Sequence, residues 1–237
     1  MPMSAEPPTL VWMRDRPRGG RPVITEEKIV AAAIGLADAE GLDALSMRRI
    51  AAAMGSGTTS LYRHVANKDE LIQLMVDAVY AELPLPEPAA DWRAAMAAHA
   101  RGFRALLLRH PWLAQQASRR PALGPNVIRH ADHVLGVVAA ATPDATLVNL
   151  VVHAVNTYVL GAVGTELAEL EAQRSTGMTV AQWQHAMGAY VRQVVDSGRY
   201  PHFNRRVLEA EEADAEARFE FGLNGLLTGL ATTLDDR

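Results

Sequence analysis

Apolar residues in this chain recur every three to four positions, and β-branched runs alternating with polar residues between turns do not recur. A period near 3.6 gathers such residues on one face of a helix, whereas a half-buried strand needs a period of two. Ala, Leu, Glu and Arg dominate the segments between the Pro and Gly residues that punctuate them. The fold class that follows is all-α. At 237 residues, 49% of them hydrophobic, the chain is large enough to bury a substantial core.

The punctuation sets the expected organisation. Residues 1–22, rich in Pro, Gly and Arg, read as a disordered arm. Thr25 is placed to cap a first helix with Glu26 and Glu27 in its first turn, and Gly41 to end it. Ser46 caps a short second helix whose stripe is Met47, Ile50, Ala51 and Met54. Gly55 and Gly57 make a turn, residues 58–64 a third short helix, and residues 67–83 a fourth. The run LPLPEP then breaks the pattern, giving a domain over 23–82, a Pro-rich linker over 83–90 and a second domain over 91–237. Helical segments are expected there over 90–108, 111–118, 123–141, 144–173, 179–196 and 208–234.

One of these needs weighing against a membrane. Residues 145–165 carry no formal charge and are about long enough to span a bilayer. Asn149, His153 and Asn156 interrupt them, and no aromatic or basic belt flanks them. A helix buried in a soluble core is expected, without a membrane partner. The opening residues are Pro-rich and broken by charge, unlike a secretory signal. Cysteine is absent, which removes disulfides, thiolate nucleophiles and Cys-based zinc sites and fits a reducing, cytoplasmic setting.

The net charge of −4 does not advertise nucleic acid, but the charges are polarised. Residues 46–68 hold Arg48, Arg49, Arg63 and Lys68 and no acid, while Glu and Asp gather in LEAEEADAEARFE near the C-terminus. Helix, Gly-containing turn and short polar helix make a helix-turn-helix, whose second helix enters the major groove. Thr58, Thr59 and Ser60 can reach bases or phosphate, and Leu61 and Val65, four apart, anchor the helix inward. Tyr62, Arg63, His64 and Lys68 are phosphate-contact candidates. The G-x-G within GSGTTS follows a helix rather than a strand, so it does not read as a dinucleotide loop.

The stretch from Thr25 to Val79 resembles the DNA-binding domain of the tetracycline-repressor (TetR) family, whose L-Y-x-H-F/V-x-x-K-x-x-L pattern is met by Leu61, Tyr62, His64, Val65, Lys68 and Leu71. The resemblance implies an N-terminal three-helix helix-turn-helix domain and a C-terminal helical domain for ligand binding and dimerisation. It implies a transcriptional regulator, most often a homodimeric repressor on a palindromic double-stranded operator, released by a small molecule. By position in the motif, Arg48 matches a base or phosphate contact, Thr58 and Thr59 the base readers, and Tyr62, His64 and Lys68 the phosphate contacts. Many members carry a capping Ser where this chain has Gly57, which leaves Thr58 as a substitute cap.

In the second domain, Asn149, His153 and Asn156 share one face of an apolar helix. Either a small-molecule effector or a neighbouring helix can satisfy them. His99, Phe103, Trp112, His130 and Trp183 are candidates to close the same cavity. His130 and His133 lack a third ligand, so neither a metal nor a cofactor is expected. For the dimer, the stripe Phe219, Leu223, Leu226 and Leu230, with Gly161 and Gly164 on the long helix, is expected to build a four-helix bundle. An activator with the same contacts, a module using the motif for protein contact, and a helical ligand-binding protein or enzyme without DNA binding are the competing readings. Neither G-x-S-x-G, a P-loop nor H-E-x-x-H is present to support an enzyme.

Overall fold

The structure is a computed structural model in which residues 11–13, 24–85, 91–117 and 122–235 are described. Those residues form eleven α-helices and no strand: α1 (Glu26–Glu40), α2 (Met47–Ala53), α3 (Thr58–Tyr62), α4 (Lys68–Tyr80), α5 (Trp92–Arg109), α6 (Pro111–Ala117), α7 (Pro125–Ala139), α8 (Ala145–Thr176), α9 (Val180–Asp196), α10 (Pro201–Glu209) and α11 (Ala215–Asp235).

Local chemistry sets the first four. Thr25 accepts from the Lys28 amide, Ser46 from Arg49 and Asn67 from Glu70, so α1, α2 and α4 each begin on a side-chain cap. Gly41, at φ 81°, and Gly55, at φ 62°, turn the chain where a side chain would be strained. Ile29, Ala33, Ile50, Leu61, Val65, Leu71 and Met75 are all buried and close this head.

The larger body is organised around α8. Val151, Val155, Val159 and Val163, one turn apart, are buried, and the helix packs on α5, α7, α11 and α6. By length and composition α8 could cross a bilayer; here its valine stripe faces the other helices of the bundle. Tyr158 donates to the Phe219 carbonyl at 2.8 Å, and the Cβ that Gly222 lacks would overlap the Tyr158 ring. Arg104 on α5 pairs with Glu166 on α8 (2.8 Å) and Glu216 on α11, and lies 4.8 Å over the Phe219 ring. Three helices are thereby fastened at one end of α11.

Several expectations change. Within the expected disordered arm, Val11–Met13 forms a 3-10 turn with Val11 buried in the core cluster. Apolar residues bounded by Pro and Arg are enough to dock; the rest of 1–22 lies outside the described residues. The single helix expected over 208–234 is two. Pro201 starts α10, and Asp214 caps α11 by accepting from the Ala217 amide at 2.8 Å, so the acidic run between them stays non-helical. Helices α9 and α10 pack on each other and bury no residue of their own.

Head and body meet at a buried carboxylate. Asp77 on α4 accepts from the Asn126 amide (2.8 Å), the Asn126 side chain (2.8 Å) and the Val127 amide (3.1 Å). It thereby caps α7, whose own N-cap residue, Gly124, has no side chain to offer. A Cβ at Gly124 would overlap that carboxylate. Gly124→Ala is expected to destabilise the fold by about 1–3 kcal/mol through overpacking, seen as a lower Tm, whereas Gly136→Ala, at an open helical position, should leave Tm unchanged or raise it.

Candidate functional site

The first site is the outer face of the head. Helix α3 is held from below by Leu61 and Val65, both fully buried. That leaves Thr59, Tyr62 and Arg63 exposed, Thr58, Ser60 and His64 half-buried, and Arg48 exposed one helix earlier. Gly57 is the N-cap of α3 and supplies no side-chain bond, and Thr58 is the first helical residue, so Thr58 does not take over the cap. The two neighbouring arginines differ. Arg49 is committed to Glu40 and to the Ala44 carbonyl, while Arg48 makes no ion pair among the described residues. Lys68 points its Nζ at the Leu42 carbonyl, 3.0 Å away, so this cation also ties α4 to the turn after α1.

The second site lies inside the body. His99 on α5, His130 on α7 and Asn156 on α8 form a hydrogen-bonded chain, with His99 Nε2 2.8 Å from Asn156 Oδ1 and His130 Nε2 3.1 Å from His99 Nδ1. Both histidines are buried. Phe103 stacks on His99 with ring centroids 5.9 Å apart, and Tyr80 of α4 stands edge-on to His130 at 6.1 Å. His130 Nδ1 is buried and has no partner. Burial holds both imidazoles below the ordinary histidine range, His130 to about 4, where His99, His133 and Arg129 add repulsion. Burial also pushes the Tyr80 phenol up to about 12. At neutral pH the cluster is uncharged.

The other ligand candidates go elsewhere. Trp112 donates to Asp38 at 2.7 Å, at the junction of head and body. Asn149 and His153 lie on the exposed face of α8, with His153 3.5 Å from Thr157. Trp183 is exposed beside Met187, Phe203 and Val207, lining a surface groove of about 710 Å³ between α9, α10 and the start of α11. Of the dimer candidates, Phe219 and Leu223 are buried in the chain's own core, because that stripe of α11 packs on α5 and α8. They are not available to a second copy. Leu226 and Leu230 are half-buried against the same core, whereas Gly161 and Gly164 face open space.

The residues that join the two sites fall outside the motifs legible in the sequence. Besides Asp77, the junction holds His110, whose Nδ1 lies 2.8 Å from Asp38 and whose Nε2 lies 3.3 Å from Glu82. The signal for Asp77 was available, since an acid within the apolar run LMVDAV needs a partner when that face is buried.

Two family models match the chain. One, described as bacterial regulatory proteins of the tetR family, covers residues 29–75, and the other, the tetracyclin repressor-like C-terminal domain, covers residues 84–234. The chain belongs to the TetR family. This TetR-family protein is 40% identical over 233 residues to the HTH-type transcriptional repressor DrrR1 of Streptomyces coeruleorubidus, a match covering 96% of the chain and 86% of that relative. Apo ActR of Streptomyces coelicolor superposes with a TM-score of 0.77 at 28% identity, covering 92% of this chain and 99% of ActR. ActR in complex with actinorhodin gives a TM-score of 0.74 at 30% identity, over 89% and 98% of the two chains. This TetR-family chain is a DNA-binding, ligand-responsive transcriptional repressor.

The neutral histidine pair gives a pH dependence. Both folded-state values lie below the ordinary value of 6.5, so the unfolded chain takes up protons that the folded chain refuses. Their contribution to stability is whole above about pH 6.5 and is lost as pH falls from there toward 4. Each histidine contributes a slope of up to about 1.4 kcal/mol per pH unit. Denaturant unfolding of His130→Gln at pH 7, 6 and 5 should show a shallower acid loss than the parent, with the gap between the two narrowing as pH falls.

Proposed function

We propose that this repressor acts as a cytoplasmic homodimer on a palindromic operator, with α3 of each copy in the major groove and an effector bound among α5, α7 and α8. The observation that carries the DNA reading is the outer face of α3. It is free of acid, anchored by two fully buried residues, and presents hydroxyls, an aromatic and cations to solvent. Thr59 is the first base reader, with Thr58 and Ser60 beside it, while Tyr62, Arg63, His64 and Arg48 hold phosphates. Lys68 contributes charge while bracing the head from within.

The dimer uses the outward faces of α8 and α11. Leu150, His153, Thr157, Gly161 and Gly164 lie along one exposed strip of α8. On α11 the exposed strip is Phe221, Asn224, Gly225 and Thr228, with Phe221 85% exposed. An aromatic this exposed beside glycines with open space above them suits close packing against a second copy. ActR is solved with actinorhodin, and the aromatic rings around His99 and His130 support an effector of aromatic character here as well.

A footprint on the DNA flanking the protein's own gene, repeated with a compound panel, tests the whole reading: one protected palindrome, lost with one class of compound. In gel shifts, Tyr62→Ala and Arg63→Ala should weaken all DNA alike, Arg63→Ala also lowering the salt slope by about one, while Thr59→Ala should cost about 1–3 kcal/mol at one base pair only. An unchanged preference in Thr59→Ala removes it as a base reader. Separately, Phe221→Glu should sediment as a folded monomer and lose operator affinity; a stable dimer would place the interface elsewhere.

A further inference from the structure

The buried histidine chain has a direction. Asn156 presents its amide oxygen to His99 Nε2, and an oxygen there only accepts, so the proton of His99 sits on Nε2. His99 Nδ1 is then a lone pair, and His130 Nε2, 3.1 Å away, donates to it. The imidazole of His130 carries one proton when neutral, and that proton is committed. Its Nδ1 is left as a buried acceptor with no donor facing it. His130 is 5% exposed, deep enough that an unmet acceptor costs about 1–3 kcal/mol. The rings of Phe103 and Tyr80 flank the pair, and flat apolar faces beside one polar atom suit a planar ring bearing a single directed hydrogen bond.

We infer that His130 Nδ1 is the specificity-determining acceptor of the effector site, selecting planar aromatic compounds that donate a phenolic hydroxyl. This rests on the reading of the His99, His130 and Asn156 cluster as the effector site, and adds which chemistry the site takes. Asn156 is a positioning residue, acting through His99 to keep the acceptor free of a proton. Methylating the hydroxyl removes the donor while leaving the ring system in place, so the site discriminates a phenol from its methyl ether. The discrimination is strong because the ether leaves a buried acceptor unmet.

The test uses the full-length protein with two probes, 2-hydroxyanthraquinone and 2-methoxyanthraquinone, titrated by fluorescence quenching. The parent should bind the phenol at least about tenfold more tightly than the ether. His130→Phe should bind the phenol as weakly as the parent binds the ether, with the fold confirmed as retained by circular dichroism. Asn156→Leu should shrink the preference without abolishing binding. Imidazole nitrogen NMR of the parent needs no variant: the His130 Nδ1 resonance should be that of an unprotonated nitrogen and should shift with the phenol only. Equal binding of the two probes, tighter binding of the ether, no binding of either, or a protonated Nδ1 in the free protein each overturns the assignment. If His130→Phe weakens both probes equally, the cluster is the effector site but its acceptor role falls. If it changes neither, the effector site itself lies elsewhere.

Discussion

The carboxylate of Asp77 is the contact on which the two halves of the molecule depend. It sits on the helix that supports the DNA-facing head, and it caps the helix that carries His130. A helix N-terminus buried without a partner would leave several amides unmet, and Gly124 offers nothing to meet them. A carboxylate from α4 of the head therefore becomes the best local cap, and glycine is required so that it can approach. The consequence is mechanical. Helix α7 cannot shift along its axis without α4 following or the three hydrogen bonds breaking.

Tyr80 gives the same helix a second hold on the histidine pair. It lies one turn beyond Asp77 on α4 and meets both Phe103 and His130 through its ring. A displacement of His130 is thus felt by α4 twice, once through the ring contact and once through the α7 cap. The third tie is His110, between Asp38 of α1 and Glu82 just past α4. Coupling between effector and operator needs a linkage whose state differs with ligand. The hydrogen bonds of Asp77 and His110 are suited to that task, because each is either made or lost.

Legibility in the sequence followed the range of the forces involved. Caps and turns are local, so Thr25, Ser46 and Gly41 were readable from neighbouring letters. Helix α3 was readable for the same reason, being a short polar motif between two apolar anchors. What failed was any statement about which partner an apolar stripe meets. Phe219 and Leu223 form a stripe suited equally to a second copy or to α5 and α8, and only the bundle's topology assigns it inward. The break between α10 and α11 is a near case. Pro201 read only as a break, with no helix expected before residue 208, and Asp214 as the cap of α11 was hidden in an acidic run that also reads as helical.

The polar residues of α8 show how one helix serves two surfaces. Asn149, His153 and Asn156 fall within about 60° of one another on α8, but Asn149 and Asn156 stand about two turns apart along its axis and meet different neighbours. Asn156 falls on the inward edge and meets His99, while Asn149 and His153 fall on the outward side with Gly161 and Gly164. The helix that meets the histidine pair on one side is thus the one that offers open glycines on the other. If two copies meet there, an effector that shifts α8 by a fraction of a turn alters both the pocket and the spacing of the paired recognition helices. A palindrome with fixed half-site separation is sensitive to that spacing.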